Sequence, residues 1–223
     1  MAVRRAYYRN GNIKFEKYFI NNKLHREDGP ATIAYYNNGN IKLERYYFNN
    51  NFHRQDGPAY IEYYENGNIK LEKYYINGKR HRTDGPAYIN YYEDGNVNVE
   101  QYYTDGETHR EDGPSYITYY SNGNIASKMY CINDGIIHRD DGPAVIHYKD
   151  NNEIKLEYYC IHGDNIDLEE YSSINKIKLI KLINDTNDIH FLLILKLITN
   201  IKFKNAVNLL ELIEAKIIML RLL

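Results

Sequence analysis

The residues that invite chemistry in this chain are five histidines, His25, His53, His81, His109 and His138, each opening the motif His-Arg-x-Asp-Gly-Pro. A histidine close to a carboxylate is the raw material of a metal site or of general acid–base catalysis. The spacing argues against both. The histidines recur at intervals of 28, 28, 28 and 29 residues, so they are equivalents in a repeat. With two strands per copy, equivalent side chains stand about 9.6 Å apart. Metal–nitrogen bonds are about 2 Å, so one ion cannot bridge two copies, and a single copy offers only a His and an Asp. No Gly-x-Ser-x-Gly, His-Glu-x-x-His or Gly-Lys-Ser/Thr motif occurs. Catalytic sites are single constellations, whereas almost every polar feature here comes five times. The sequence predicts no enzyme, no cofactor and no metal site.

The chain contains 25 Tyr and no Trp. Columns of tyrosine can stack bases or sugars, but aromatic cross-strand pairs also hold a one-layer sheet together, and that structural role is expected here. The repeat body, residues 1–171, carries a balance of −6, against +4 for residues 172–223. Affinity for nucleic acid rests on neutralising phosphates, so no nucleic-acid partner is expected for the repeats. Cys131 and Cys160 occupy one position of adjacent copies. At about 9.6 Å they stand beyond the ~7 Å that a disulfide allows, and reduced thiols are expected.

The elements that position these columns are short and β-rich. Residues 59–64 and 69–76 are short, β-branched and aromatic, with Asn66-Gly67 between them. Such a pair reads as a hairpin with a type I′ turn, positive φ at both central residues. Asn10-Gly11, Asn38-Gly39, Asp94-Gly95 and Asn122-Gly123 repeat the signal, and Asn151-Asn152 replaces it in the last copy. The second connection, residues 77–86, reads as a longer loop. All five prolines (Pro30, Pro58, Pro86, Pro114, Pro143) fall at its end, where the first residue of a strand tolerates a missing donor. The Asp-Gly before each proline is expected to supply a turn with positive φ at Gly. Asp28, Gly29, Asp56, Gly57, Asp84, Gly85, Asp112, Gly113, Asp141 and Gly142 are therefore turn-structural. Asp84 would cap its own loop and Arg82 would pair with a nearby carboxylate.

Recurrence sorts the faces. Tyr35, Tyr63, Tyr91, Tyr119 and Tyr148 never change, whereas the next residue becomes Lys149 in the last copy. Tyr46, Tyr74, Tyr102, Tyr130 and Tyr159 are likewise fixed. Fixed positions are expected to be packed and drifting ones more exposed. The candidate interaction surface is accordingly Tyr36, Tyr64, Tyr92 and Tyr120, with Arg26, Arg54, Arg82 and Arg110.

The expected fold class is an all-β repeat array of antiparallel β-hairpins, an elongated twisted sheet of 28-residue period, with a C-terminal α-helical appendage. Residues 1–167 form the repeat domain: a partial copy over 1–24, then 25–52, 53–80, 81–108, 109–137 and 138–165. Residues 168–223 lack glycine, proline and, after Tyr171, tyrosine. Their apolar spacing, with Ser172 or Ser173 as a cap, predicts helices that cover a sheet edge, self-associate or lie on a membrane surface. The N-terminus lacks the 7–15-residue apolar stretch of a signal peptide. No run reaches the ~20 apolar residues of a membrane span. A soluble, intracellular protein is expected.

The pattern Asn-Gly-Lys, then Asp-Gly-Pro-Ala-x-Ile-x-Tyr-Tyr-x-Asn/Asp-Gly-Asn, as in residues 77–96, resembles the variant MORN repeats of bacterial antitoxin-like proteins. Its His-Arg-x-Asp-Gly-Pro-Ala form is similar to uncharacterised MORN-like repeat proteins of giant DNA viruses of amoebae. The resemblance covers residues 1–165. It implies a β-hairpin array serving as a scaffold or dimerisation surface, sometimes with phospholipid contact, and it places the protein in host cytoplasm or virion. The period here is longer than the usual MORN pattern, and the Gly-x-Gly pair after the turn is missing. No catalytic residue carries over. A protein partner or self-association follows, with antitoxin-like inhibition or membrane contact through residues 172–223 as alternatives.

Overall fold

The computed structural model describes residues 1–132 and 135–167; the helices expected in 168–223 lie outside them. Residues Met1–Asn165 form one compact unit. It is built on a fourteen-stranded sheet. The partial copy gives Ala2–Tyr7 and Ile13–Ile20. Each full copy then adds a hairpin: Thr32–Tyr35 with Ile41–Arg45, Tyr60–Tyr63 with Ile69–Lys73, Tyr88–Tyr91 with Val97–Gln101, Tyr116–Tyr119 with Ile125–Met129, and Val145–Tyr148 with Ile154–Ile161. These strands lie side by side in chain order, Asp164–Ile166 closes the path, and Lys23–Leu24 pairs with Ile13–Ile20 beside it. The all-β antiparallel array expected from the repeat is what forms.

One register rule joins the copies. Leu43, Glu44 and Arg45 face Glu62, Ile61 and Tyr60. One copy later Leu71, Glu72 and Lys73 face Asn90, Ile89 and Tyr88. Strands flanked on both sides have no free backbone edge, so each interior copy is held by its neighbours.

The turns differ from the sequence expectation in an instructive way. The Asn-Gly connections are three-residue loops: Tyr64 N–H donates to Asn68 O and Gly67 N–H to Tyr64 O. Only Gly67 has positive φ, at 94°; Asn66 does not. A type I turn followed by a left-handed glycine gives this pattern, with the register shift seen between Glu62 and Tyr63. The type I′ turns lie at the other end. The stretch read as a plain loop contains a second, two-residue hairpin, such as Tyr75–Ile76 with Lys79–Arg80. Its corner, Asn77-Gly78, has φ of 49° and 83°. Asn49-Asn50 and Asp105-Gly106 repeat the geometry.

The Asp-Gly-Pro glycines are a second correction. Gly29, Gly57, Gly85, Gly113 and Gly142 are not among the residues with positive φ. They are required for room: a Cβ on Gly85 would stand 3.2 Å from the Cζ of Arg82. The following proline leads into the tightest part of the core. Ala31, Ala59, Ala87, Ser115 and Ala144 are all 0% exposed. The buried Ile61, Ile89, Ile117 and Ile146 complete a thin core. A single-layer sheet has little depth, so small residues fill it and polar contacts hold its rims.

Candidate interaction surface

The loop rim is built from one unit repeated five times. Arg54 lies over the Tyr46 ring at 4.1 Å from its centroid. Its Nε donates to Asp56 Oδ1 at 3.0 Å. Arg26 over Tyr18, Arg82 over Tyr74, Arg110 over Tyr102 and Arg139 over Tyr130 repeat the stack at 3.9–4.2 Å. A planar guanidinium lies flat on a ring face while its edge N–H bonds a carboxylate. The pairing expected for Arg82 is thus formed, and its partner is Asp84 of the same loop. The arginine side chains keep only 20–27% of their surface. The aspartates stay open, and hydrogen bonding to arginine holds Asp28, Asp56, Asp84 and Asp112 below the usual carboxylate range. The rim shown to solvent is a row of carboxylates backed by half-buried guanidinium groups.

The histidines serve the backbone. The Nδ1 of His53 accepts the N–H of Asn77, 24 residues on, at 3.1 Å. His25 accepts from Asn49, His81 from Asp105 and His138 from His162. In each of these contacts the Nδ1 lone pair faces the backbone N–H. They pin the positive-φ corner of the next copy. Among the described residues no group of three His, Cys, Asp or Glu gathers as a metal site would require. Cys131 and Cys160 are free and buried.

The two tyrosines of each first strand play different parts. Tyr63 donates to Glu44 Oε2 of the preceding copy at 2.9 Å. Tyr35 with Glu16, Tyr91 with Glu72 and Tyr119 with Glu100 do the same. Burial, then the bond to an anionic carboxylate, pushes the Tyr35 hydroxyl up to about 12. Tyr63, Tyr91 and Tyr119 are pushed further in the same direction for the same reasons. The drifting tyrosines were expected to be the more exposed, but Tyr36, Tyr64, Tyr92 and Tyr120 are also half-buried. Their hydroxyls reach forward: Tyr36 to Tyr63 O, Tyr64 to Tyr91 O, Tyr92 to Tyr119 O and Tyr120 to Tyr148 O, at 2.7–2.8 Å. They are latches between copies.

Sequence reasoning missed a third latch. Asn40, Asn68 and Asn96 donate through Nδ2 to the carbonyls of Glu65, Glu93 and Ser121, each at 2.9 Å. The signal was present, because the Asn after each turn glycine recurs at Asn12, Asn40, Asn68, Asn96 and Asn124. The small hairpins were missed too. Their aromatic contacts, such as Phe52 between Tyr47 at 4.4 Å and Tyr75 at 5.0 Å, cross from one copy to the next.

The family model described as the MORN repeat variant matches residues 2–21 and 59–77. Each match spans one hairpin with its Asn-Gly turn, and the one copy between them has the same strand pairing. MORN repeats are generally repeats for interaction with proteins or membranes, a non-enzymatic scaffold kind. No curated protein and no solved structure matches the chain.

Proposed function

We propose that residues 1–167 are a non-enzymatic scaffold for protein–protein interaction, reading its partner along the loop rim. The observation that supports this is the regular Arg–Tyr–Asp unit. Its arginine and ring are fixed by each other, while its carboxylate stays outward: the side chains of Asp28, Asp56, Asp84, Asp112 and Asp141 are 76–85% exposed. Preorganised, periodic charge favours an extended basic partner, because little side-chain freedom remains to be lost on binding. Arg26, Arg54, Arg82 and Arg110 position the carboxylates. Tyr36, Tyr64, Tyr92 and Tyr120 contribute ring surface beside the turns. Residues 168–223 form a cap or association segment in this reading, and an intracellular setting, host cytoplasm or virion, belongs to it.

The test is capture from source-cell lysate with the full chain, against a variant carrying Asp56→Asn and Asp84→Asn. Loss of a stoichiometric partner with unchanged melting temperature supports the loop rim. A partner retained by the variant overturns it. The charge of +4 on residues 172–223 supports a second reading, peripheral membrane association. That reading requires salt-sensitive sedimentation with anionic liposomes which disappears when 168–223 are deleted. An antitoxin-like inhibitor is a special case of the first reading and is tested by the same capture.

A further inference from the structure

The two outer edges of the sheet depart from the pairing that residues 43–45 and 71–73 make with the copies that follow them, and they do so in complementary ways. Among the described residues Ala2–Tyr7 pairs only with Ile13–Ile20. Ile154–Ile161 pairs with Val145–Tyr148. The turn at His162-Gly163 brings Asp164–Ile166 back onto its C-terminal end, so among the described residues its first part has no strand on the far side. Ile154, Leu156 and Tyr158 are 55%, 45% and 37% exposed there.

At four interior junctions a glutamate such as Glu44 stands opposite an isoleucine such as Ile61 and receives a tyrosine hydroxyl, here that of Tyr63; at the fifth, Lys128 stands opposite Ile146. The residue after Glu44, Arg45, stands opposite Tyr60 and lies over its ring at 5.3 Å. At the first edge Arg5 occupies the isoleucine position, Arg4 the position of Tyr60, and Arg9 the turn position of Glu65. Tyr7, equivalent to Tyr63, is 59% exposed. At the last edge Glu157 keeps the position of Glu44, Tyr158 replaces Arg45, and Glu153 replaces the asparagine that reaches toward the next turn. The cation and the ring have exchanged places: the first edge carries Arg4, Arg5 and Arg9, and the last carries Glu153 and Glu157 beside Lys155.

We propose that the chain associates head to tail, the Ile154–Ile161 edge of one copy pairing antiparallel with the Ala2–Tyr7 edge of a second. The interior register then sets Leu156 opposite Ala6, Glu157 opposite Arg5 and Tyr158 opposite Arg4. Glu157 receives the Tyr7 hydroxyl, Tyr158 shares with Phe19 the Arg4 guanidinium that lies over the Phe19 ring at 4.8 Å, and Glu153, bonded to Lys149 at 2.9 Å, turns its other oxygen to Arg9. Arg5, already bonded to Glu16 at 2.6 Å, has donors left for a second carboxylate. Pairing of two first edges would oppose Arg4 and Arg5 to their own copies, which selects against a symmetric dimer. A heterologous contact of this kind propagates the sheet from chain to chain. The inference stands independently of the loop-rim reading.

The experiment uses the full chain with Ala6→Cys and Leu156→Cys together, oxidised mildly and resolved without reductant. A ladder of dimers, trimers and higher species is expected. Each single variant and the off-register pair Ala2→Cys with Leu156→Cys should give no ladder above that of the native chain. Adding Glu157→Lys should lower the cross-linking yield about tenfold. Dimers from Ala6→Cys alone would show that like edges pair and overturn the proposal. So would a sedimentation coefficient independent of concentration together with no cross-link, which would mean that another occupant, such as residues 168–223, covers the edge.

Discussion

Each hairpin has two ends, and they are held by different physics. At the Asn-Gly end the turn stands in open space: a Cβ on Gly67 would meet nothing within 4 Å. What matters there is backbone conformation and a chain of forward hydrogen bonds from Tyr64 and Asn68. At the Asp-Gly-Pro end, φ is ordinary and space is scarce, because arginine, tyrosine ring, glycine and a fully buried alanine are stacked together. One glycine is kept for its torsion angle and the other for its missing side chain. The lesson is that two Gly columns, equally regular in a sequence, report unrelated constraints.

That contrast can be broken experimentally. The largest effect is expected at the crowded end, where Ala87→Leu should cost about 3 kcal/mol by overpacking, read as a lowered denaturant midpoint. Next comes a pair of glycine substitutions. Gly85→Ala and Gly67→Ala should each cost about 1–2 kcal/mol, but for different reasons. In an Arg82→Ala background the cost at Gly85 should vanish, because the guanidinium it would strike is gone, while the cost at Gly67 should persist. Equal additivity at both sites would refute the distinction.

Alkali probes the tyrosine–glutamate contacts that join the copies. Tyr35 is raised to about 12 in the folded state, against about 10 unfolded. A raised folded value means the native state holds its proton more firmly. Its contribution is therefore complete below about pH 10 and is lost as pH rises through about 12. Stability followed by circular dichroism should be flat from neutrality to about pH 10 and fall above it. Tyr63→Phe with Tyr91→Phe should make the fall shallower. The smallest effect is expected for Tyr64→Phe, which removes one forward latch at the open end and should cost about 1 kcal/mol in thermal unfolding.

Much of this was legible in the chain. The 28-residue period gave the antiparallel array and the strand positions, because periodic side chains need periodic backbones. What could not be read was the meaning of individual columns. Asn66-Gly67 carries a strong type I′ signal, yet the ladder closes between Tyr64 and Asn68, one residue wider, and the glycine falls outside the two-residue corner. The Asp84-Gly85 turn looked torsional, whereas its glycine answers to Arg82. Tyr64 gives its hydroxyl to a backbone carbonyl and Tyr63 to a glutamate, yet Tyr148 is kept where Lys128 stands in the place of that glutamate, so the constancy of a column does not follow from its bond partner alone.

The forward latches share one further property: their reach. Tyr hydroxyl to carbonyl spans 27 or 28 residues, asparagine to turn 25 or 26, and histidine to corner 24. The loop that must close to make each of them is therefore nearly constant, whatever the number of copies. Since closure entropy sets much of the barrier to β-sheet formation, a copy added to the array leaves the height of each step unchanged. A nascent chain can lay down this sheet at the pace of synthesis, each hairpin waiting only for the one behind it to leave the ribosome.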